Sequence, residues 1–313
     1  MVTVQRMSSI CLSAIIPVGE MGGRLGALEK WLTSLDSAAI QVILICDLTG
    51  KNCLGELEVI IEKCKSKNIE LYSGVFGAPG KARNLGLHHA TGDWVSFWDS
   101  DDIPNWQLAL RAIDENPESD IIVGAFEMIS DLDASITPIY FRSEGVASVE
   151  SDLVAHPGLW RFLFRIETLS GLSFEDFRMA EDQIFLLSTN PFGRRIKVLN
   201  EILYSYFWGG AGHLVDNRDA LNDLLKSVQA LMGFLKKEDF KSKNFALRLL
   251  AKQTTTALLH GGWSLKLAML NSIAPTRDLV RIPRFYRIYP AIVRESYVSV
   301  MHRLKYGSQA KVN

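Results

Sequence analysis

Cysteine, long apolar runs and excess charge are all scarce in this 313-residue sequence. The four cysteines fall within the first 64 positions and show no C-x-x-C spacing. This excludes a disulfide-stapled mini-protein or a zinc site and favours reduced thiols in a cytoplasmic protein. The apolar runs stop well short of the roughly 20 residues that span a bilayer. The apolar stretch Ile10–Val18 also lacks a signal-peptide cleavage site. We therefore expect a cytoplasmic chain with no transmembrane helix.

Charge is nearly balanced overall but unevenly placed. Residues 1–274 carry 26 Lys and Arg against 33 Asp and Glu, whereas residues 275–313 carry 8 against 2. The acidic body has no nucleic-acid-reading motif, so we expect no nucleic-acid partner. In the basic tail, arginines alternate with aromatic residues, which suits a peripheral contact at the inner face of an anionic membrane. A solvated basic face or a contact with a partner protein explains the tail equally well.

Strand-like and helix-like segments alternate along the first 130 residues. The pattern predicts strands at Ser9–Val18, Gln41–Cys46, Ile69–Tyr72, Trp94–Trp98, Ile121–Ile129 and Ile196–Tyr206. It predicts helices at Leu25–Leu35, Leu54–Lys65, Ala82–His89, Leu221–Leu235 and Ala246–Leu259. This alternation is typical of a mostly parallel sheet flanked by helices. We expect an α/β domain over residues 1–215 and a helical C-terminal extension with a basic tail over residues 216–313.

Three acids, Asp99, Asp101 and Asp102, follow directly on the apolar strand that ends at Trp98. Ligands of open α/β sheets bind beyond the carboxyl ends of the strands. Like charges this close repel unless a cation compensates them. Mg²⁺ or Mn²⁺, which take carboxylate and phosphate oxygens, would do so. The alternative is a solvated acidic turn that caps the helix after Pro104.

Five segments, in order, resemble the motifs of family 2 glycosyltransferases. They are Leu12–Val18, Val42–Thr49, Gly80–Phe97, Asp99–Asp102 and Glu181–Phe185. Trp160–Arg165 and Leu172–Phe174 resemble acceptor-side segments of the family, and the resemblance as a whole covers residues 12–206. The resemblance implies a nucleotide-diphospho-sugar transferase (GT-A) fold with the donor half first and the acceptor half second. Three departures leave base and sugar specificity open: Gly19-Glu20 replaces the family's aromatic-Asn pair, Cys46 replaces its first acid, and Leu48 replaces the glycine that follows.

The resemblance also assigns roles by position. The implied catalytic base is Asp182, beside Glu181, which would shape the site. The implied donor-binding residues are Asp47, Arg83, Asp99 and Pro17. The implied metal ligands are Asp101 with Asp99 or Asp102, and His213 would contact the diphosphate or the metal. Each assignment has a simpler alternative: a surface ion pair for Arg83, a turn or helix-start acid for Asp47 and Asp182, and a solvated loop residue for His213.

The activity that the resemblance implies is inverting, metal-dependent transfer of a sugar from a nucleotide-sugar donor to a saccharide acceptor. A UDP-sugar is the favoured donor, a lipid-linked glycan is one form the acceptor could take, and the expected process is surface polysaccharide biosynthesis. Two other classes stay open. One is a non-catalytic module with a degenerate transferase fold. The other is a haloacid-dehalogenase-like phosphatase, because Asp99 to Ile103 also resembles the D-x-D nucleophile motif of those enzymes.

Overall fold

The computed structural model describes residues 10–19, 25–49, 53–66, 68–143, 145–209, 218–262, 264–265 and 268–269. Contacts between Cα atoms divide the chain into two compact units, residues 1–211 and 212–313. The expected division after residue 215 falls among residues 210–217, which lie outside the described residues. In the part of the chain that is described, no helix is both long and apolar enough to cross a membrane.

The first unit contains nine strands and six α-helices among its described residues. Its first half consists of β1 (Leu12–Val18), α1 (Leu25–Ser34), β2 (Ile40–Asp47), α2 (Leu54–Lys63), β3 (Ile69–Gly74), α3 (Pro79–His89), β4 (Trp94–Phe97), β5 (Ile103–Pro104) and α4 (Trp106–Glu115). Its second half consists of β6 (Ile121–Ser130), β7 (Ile136–Ile139), α5 (Val146–Ala155), β8 (Phe162–Arg165), α6 (Glu181–Ser188) and β9 (Ile196–Trp208). The described part of the second unit contains α7 (Arg218–Lys236) and α8 (Lys243–His260).

All nine strands join one sheet in the order β3-β2-β1-β4-β8-β6-β9-β5, with β7 paired to β6. Strands β1 to β4 run parallel to one another where they pair, and β6 runs parallel to β9. Strand β8 is antiparallel to both of its neighbours, and β5 and β7 are antiparallel to their partners. The predicted α/β class with a mostly parallel sheet is therefore confirmed.

The central strands owe their formation to continuous burial. Every residue of β4 is buried, as are all but one residue of β1 and of β2. Strands covered by helices on both faces read as unbroken apolar runs, which is why the sequence reveals them. Helix α3 begins three residues earlier than predicted, because Pro79 occupies the first turn, where a missing N–H removes no helical hydrogen bond.

A hydrogen-bonded group joins β1, β2 and the turn before β4 at the amino ends of these strands. The Ser13 hydroxyl donates to Gln41 Oε1 at 2.6 Å and accepts from the Gly92 amide at 2.9 Å. Gln41 Oε1 also accepts from the Thr91 amide at 2.9 Å, and Gln41 Nε2 donates to Glu70 Oε1 at 2.7 Å. A shift of one strand against another would break these hydrogen bonds. The group therefore helps to fix the register of the three strands.

Candidate active site

The acidic segment Asp99–Asp102 lies at the carboxyl edge of the sheet, directly after β4. Strand β9 holds it in place through two hydrogen bonds. The Asp99 amide donates to the Tyr204 hydroxyl at 2.9 Å, and the Phe207 amide donates to Asp102 Oδ1 at 2.8 Å. Because β2 and β4 both run parallel to β1, Asp47 leaves the same edge. The structure therefore places the sequence-predicted acids where ligands of such sheets bind.

Arg83 of α3 forms buried ion pairs with two acids, Asp99 of the acidic segment and Glu181 of α6. Its Nη2 lies 2.9 Å from Asp99 Oδ1 and its Nη1 lies 2.8 Å from Glu181 Oε1. Its guanidinium carbon also sits 5.6 Å from the centre of the Phe174 ring. Arg83 is only 6% exposed and Glu181 only 5%. Both Nη atoms of Arg83 thus bind carboxylates of this chain. The contact with the donor diphosphate implied for Arg83 stays a prediction.

Two glycines of α3 allow the helix to come this close. A Cβ on Gly86 would lie 2.4 Å from Ile15 Cγ2, so α3 can rest directly on β1. A Cβ on Gly80 would lie 3.0 Å from Phe174 Cβ and 3.2 Å from Glu181 Cγ. The glycines of the matched G-x-x-x-x-x-G segment are therefore required by packing, and they set the depth at which Arg83 enters the site.

Glu181 and Asp182 occupy the first turn of α6. The preceding Ala180 adopts a left-handed conformation with φ of 66°, a strained state for a residue with a Cβ. Burial first, and then the Asp182 charge, raise the pKa of Glu181, while Arg83 opposes the shift, so that the pKa reaches about 7. Asp182 is half-buried, and its Oδ1 accepts the Gln183 amide at 2.8 Å. A carboxylate at a helix N-terminus is stabilised in its ionised form, the form a general base needs.

Burial and mutual repulsion dominate the electrostatics of the acidic segment. Burial raises the pKa of Asp99, the Asp101 charge adds to this, and Arg83 counteracts it. Asp102 is 1% exposed, and burial together with the charges of Asp99 and Asp101 raises its pKa well above the usual value. Its Oδ2 makes no hydrogen bond with the described residues. Hydrogen bonds from the Phe207 amide and the Tyr204 hydroxyl oppose this rise in the pKa of Asp102.

The residues present fit a metal ion only in an open arrangement. Among the described residues there is no cluster of three or more His, Cys, Asp or Glu side chains that could hold one. Asp99 is engaged by Arg83, and Asp102 is fixed by the Phe207 amide. An ion here would have few protein ligands and would depend on phosphate oxygens, which is how Mg²⁺ binds in many nucleotide sites. The unmet Asp102 Oδ2 and the mutual repulsion of the acids suit such an ion.

The Asp47 carboxylate links two loops at the carboxyl edge of the sheet by hydrogen bonds. Its Oδ1 accepts from the Thr49 amide and hydroxyl at 3.0 and 2.5 Å and from the Phe76 amide at 3.0 Å. Its Oδ2 accepts from the Gly77 amide at 2.9 Å. Burial raises its pKa, but these hydrogen bonds outweigh burial and lower the pKa below the usual value. A carboxylate offers about four acceptor positions. The implied contact between Asp47 and a donor base would therefore have to displace one of these donors.

We expect Asp47→Asn to reduce the free energy of unfolding by about 1–2 kcal/mol at pH 7, because an amide cannot accept four donors. The folded-state pKa of Asp47 is lowered, so its contribution is present at neutral pH and is lost as the pH falls below about 4, through the folded pKa. The difference between the two proteins in urea unfolding should shrink over that range. Asp36→Asn, at an exposed loop position, is the control. A difference in unfolding free energy that does not change with pH would contradict this role of the Asp47 carboxylate.

The remaining predicted site residues are placed as follows. Pro17 lies in β1, half-buried, opposite Ile45 of β2 and one residue before the end of the strand. His213 and the basic tail over residues 275–313 lie outside the described residues. The structure adds Tyr204 and Phe207 to the site. No local motif marks them, because they reach the acids only through the pairing of a strand about 100 residues away.

Comparison with known proteins identifies the family. The profile of glycosyl transferase family 2 matches residues 23–179, just over half of the chain. The chain therefore belongs to glycosyl transferase family 2. The match leaves the haloacid-dehalogenase alternative without support.

Two curated relatives match part of the chain. The uncharacterized glycosyltransferase EpsJ of Bacillus subtilis is 28% identical over 181 residues, which are 53% of this chain and 52% of EpsJ. The poly(ribitol-phosphate) beta-N-acetylglucosaminyltransferase TarS of Staphylococcus aureus is 25% identical over 193 residues, which are 57% of this chain and 33% of TarS. The chain thus spans about half the length, or less, of these curated relatives.

Solved structures confirm the predicted GT-A fold. TarS 1–349 of S. aureus in complex with UDP-GlcNAc gives a TM-score of 0.65 at 18% identity, covering 95% of this chain and 92% of that one. The mannosyltransferase PcManGT of Pyrobaculum calidifontis, in complex with GDP-Man and Mn²⁺, gives a TM-score of 0.55 at 14% identity, covering 91% and 86%. At these identities the likeness establishes the fold alone.

Proposed function

We propose that this protein is an inverting, metal-dependent glycosyltransferase that moves a sugar from a nucleotide-sugar donor to a hydroxyl of a saccharide acceptor. The observation that carries the proposal is the Arg83 bridge, which joins the Asp99–Asp102 segment to the Glu181–Asp182 pair. A half-buried carboxylate, Asp182, thereby shares one electrostatic network with the acids proposed to hold a metal ion for the donor diphosphate. A UDP-sugar is the favoured donor, and the complexes of neighbouring structures with UDP-GlcNAc and GDP-Man support a donor of this class.

In the proposed reaction, Asp182 takes the proton of the acceptor hydroxyl as the acceptor oxygen attacks the anomeric carbon. The bond between that carbon and the phosphate oxygen breaks on the opposite face, so the configuration is inverted. The nucleoside diphosphate leaves with the electron pair. Mn²⁺ or Mg²⁺, when bound, would stabilise the charge on the leaving diphosphate. Asp101, half-exposed at the carboxyl edge, is the residue we propose for its direct contact, with Asp99 beside it.

We propose a role for each of the predicted site residues. Arg83 and Glu181 orient the acids around Asp182, and Asp102 anchors the acidic segment to β9. Asp47 and Pro17 border the donor end of the sheet, and His213 is proposed to approach the diphosphate. We further propose residues 1–215 as the catalytic domain and residues 216–313 as a helical extension. Synthesis of a surface polysaccharide in the cytoplasm, with the basic tail against the membrane, is the proposed setting. The names of the two curated relatives support a role of this kind.

Titration calorimetry of the full chain with UDP, GDP, CDP and TDP tests this proposal. We expect one nucleotide, UDP first among them, to bind in the presence of Mn²⁺ or Mg²⁺ and at least about ten-fold more weakly with chelator. Asp101→Ala should remove that metal dependence, whereas Asp114→Ala, on the exposed side of α4, should preserve it. No binding of any nucleotide would favour the non-catalytic alternative. Nucleotide binding that is unchanged both by chelator and by Asp101→Ala would overturn the assignment of Asp101 as a metal ligand.

A further inference from the structure

A second polar crevice lies between α1, α4 and the β5–β9 edge of the sheet. It has a volume of about 460 Å³, within the range of small-molecule sites. Trp31 and Trp106 contribute its aromatic lining, and Glu127, Ser205, Lys30 and Gln107 are among its polar residues.

The crevice and the acidic site use opposite faces of the paired strands β6 and β9. Side chains alternate between faces along a strand. Phe126 and Tyr204 are register partners, and both contact Trp160, with ring centroids 4.8 and 4.7 Å away. Glu127 and Ser205, the next partners along, project to the other face, and the Ser205 hydroxyl donates to Glu127 Oε1 at 2.7 Å. Occupying the crevice therefore need not disturb the donor site.

The polar groups of the crevice have both signs of charge and unused hydrogen-bonding capacity. Within the described part of the chain, Lys30 and Glu127 form no ion pair with each other or with another residue. Beyond its bond from Ser205, the Glu127 side chain makes no further hydrogen bond with the described residues, and the Gln107 side chain makes none. An anionic ligand would meet the Glu127 carboxylate, and a cationic one would meet Lys30. A neutral ligand rich in hydroxyl groups can satisfy both.

Trp31 connects the crevice to the interior of the domain. Trp31 is 2% exposed, and its Nε1 donates to no acceptor among the described residues. Trp31 also packs edge-on against Trp98, at 5.6 Å between ring centroids, and Trp98 directly precedes Asp99. The crevice wall is thus joined to the segment that carries the acids.

We propose that this crevice binds a neutral saccharide, namely a unit of the acceptor glycan distant from the hydroxyl that reacts. Carboxylate, amide, ammonium and hydroxyl groups pair with the hydroxyls of a sugar ring. The half-buried side chains of Ile103 and Ile202, which also line the crevice, offer apolar surface to its C–H groups. The reacting end and a remote part of the same chain would then be held at two places on one sheet. This inference rests on the proposed function, because it assumes a saccharide acceptor.

Saturation-transfer NMR and titration of the full chain with chitotetraose, cellotetraose and mannotetraose test the inference. We expect at least one of these oligosaccharides to bind with a dissociation constant of about 1 mM or below. Glu127→Gln should weaken that binding about ten-fold, because the charged acceptor is lost without a change of size. Gln107→Ala, at an exposed rim position, should also weaken it. The matched control, Glu115→Gln on α4, is exposed and does not line the crevice, so it should have no effect.

The failures of the two proposals are separable. UDP titration is repeated on each variant and should be unchanged, because the crevice lies on the opposite face from the acids. Normal UDP binding with no oligosaccharide binding overturns the saccharide crevice and leaves the transferase proposal standing. Oligosaccharide binding that withstands both Glu127→Gln and Gln107→Ala also overturns the crevice, because it places the glycan elsewhere. Thermal unfolding of each variant checks that lost binding is not lost folding.

Discussion

Replacing Asp182 with Asn should lower the rate of sugar transfer by about 10²–10⁴-fold while leaving UDP affinity unchanged. The amide keeps the size of the side chain and can still accept the Gln183 amide, but it cannot take a proton from an acceptor hydroxyl. Affinity for the nucleotide should survive, because the acids after β4 and the bridging Arg83 remain in place. The measurement is steady-state release of UDP from a UDP-sugar with saccharide acceptors present, together with calorimetry of UDP.

The control for Asp182 is Asp176→Asn in the loop just before α6. Asp176 pairs with Lys81 at 2.9 Å, but both side chains are largely exposed, so the change should leave turnover nearly constant. Unchanged turnover in Asp182→Asn would remove this residue from the role of base. A loss of UDP affinity equal to the loss of rate would instead make Asp182 a donor-binding residue.

Replacing Arg83 with Leu should reduce the free energy of unfolding by about 3–5 kcal/mol near pH 8, the range expected when one partner of a buried ion pair is removed. The change leaves the carboxylates of Glu181 and Asp99 without their cation, and Glu181 is almost fully buried. The apolar side chain supplies part of the lost packing against Phe174, so the loss reports mainly on charge. Urea unfolding followed by the tryptophan fluorescence of the chain measures it.

The effect of Arg83→Leu should depend on pH in a definite direction. The pKa of Glu181 is about 7 in the folded protein, above its ordinary value, so its neutral form is favoured on folding. Stability linked to Glu181 is therefore greatest at low pH and is lost as the pH rises through 7. Without Arg83 this pKa rises further, so the variant should lose less stability at pH 6 than at pH 8.

Arg111→Leu is the matched control for Arg83. Arg111 pairs with Glu201, but their side chains are 53% and 55% exposed. An exposed pair contributes about 0–1 kcal/mol, and no pH dependence between 6 and 8 is expected. Equal losses in the two variants would mean that the Arg83 bridge does not stabilise the interior.

The sequence predicts the parallel half of the sheet well and the antiparallel part poorly. Strands such as β1 and β2 are buried on both faces, so burial itself is visible as an apolar run. Strand β5 has only two residues, and the four residues of β7 alternate between exposed and half-buried. Segments this short show no periodicity that sequence analysis can detect. Strand β8 has three buried residues that read equally well as part of a helix or loop. Its role as the antiparallel strand between β4 and β6 depends on tertiary pairing alone.

Some features of the candidate site could likewise be predicted from the sequence, and others depend on tertiary structure. The acids after β4 are adjacent in sequence and are delivered by one strand, so their location at the carboxyl edge could be predicted. The link between Arg83 and Glu181 spans 98 residues and depends on how closely α3 packs. Local patterns do not encode it. The difference between Asp101, half-exposed, and Asp102, fixed by β9, also arises only when the strands pair.

The hydrogen-bonded group around Ser13 and Gln41 lies at the opposite edge of the sheet from the acids. Because it fixes strand register from the amino ends, the register of these three strands does not depend on the loops at the carboxyl edge. Mutations in those loops can therefore alter which sugar or acceptor fits while the scaffold persists. Within such an architecture, new specificities are accessible by changes of a few loop residues, whereas changes at Ser13 or Gln41 would threaten every specificity at once.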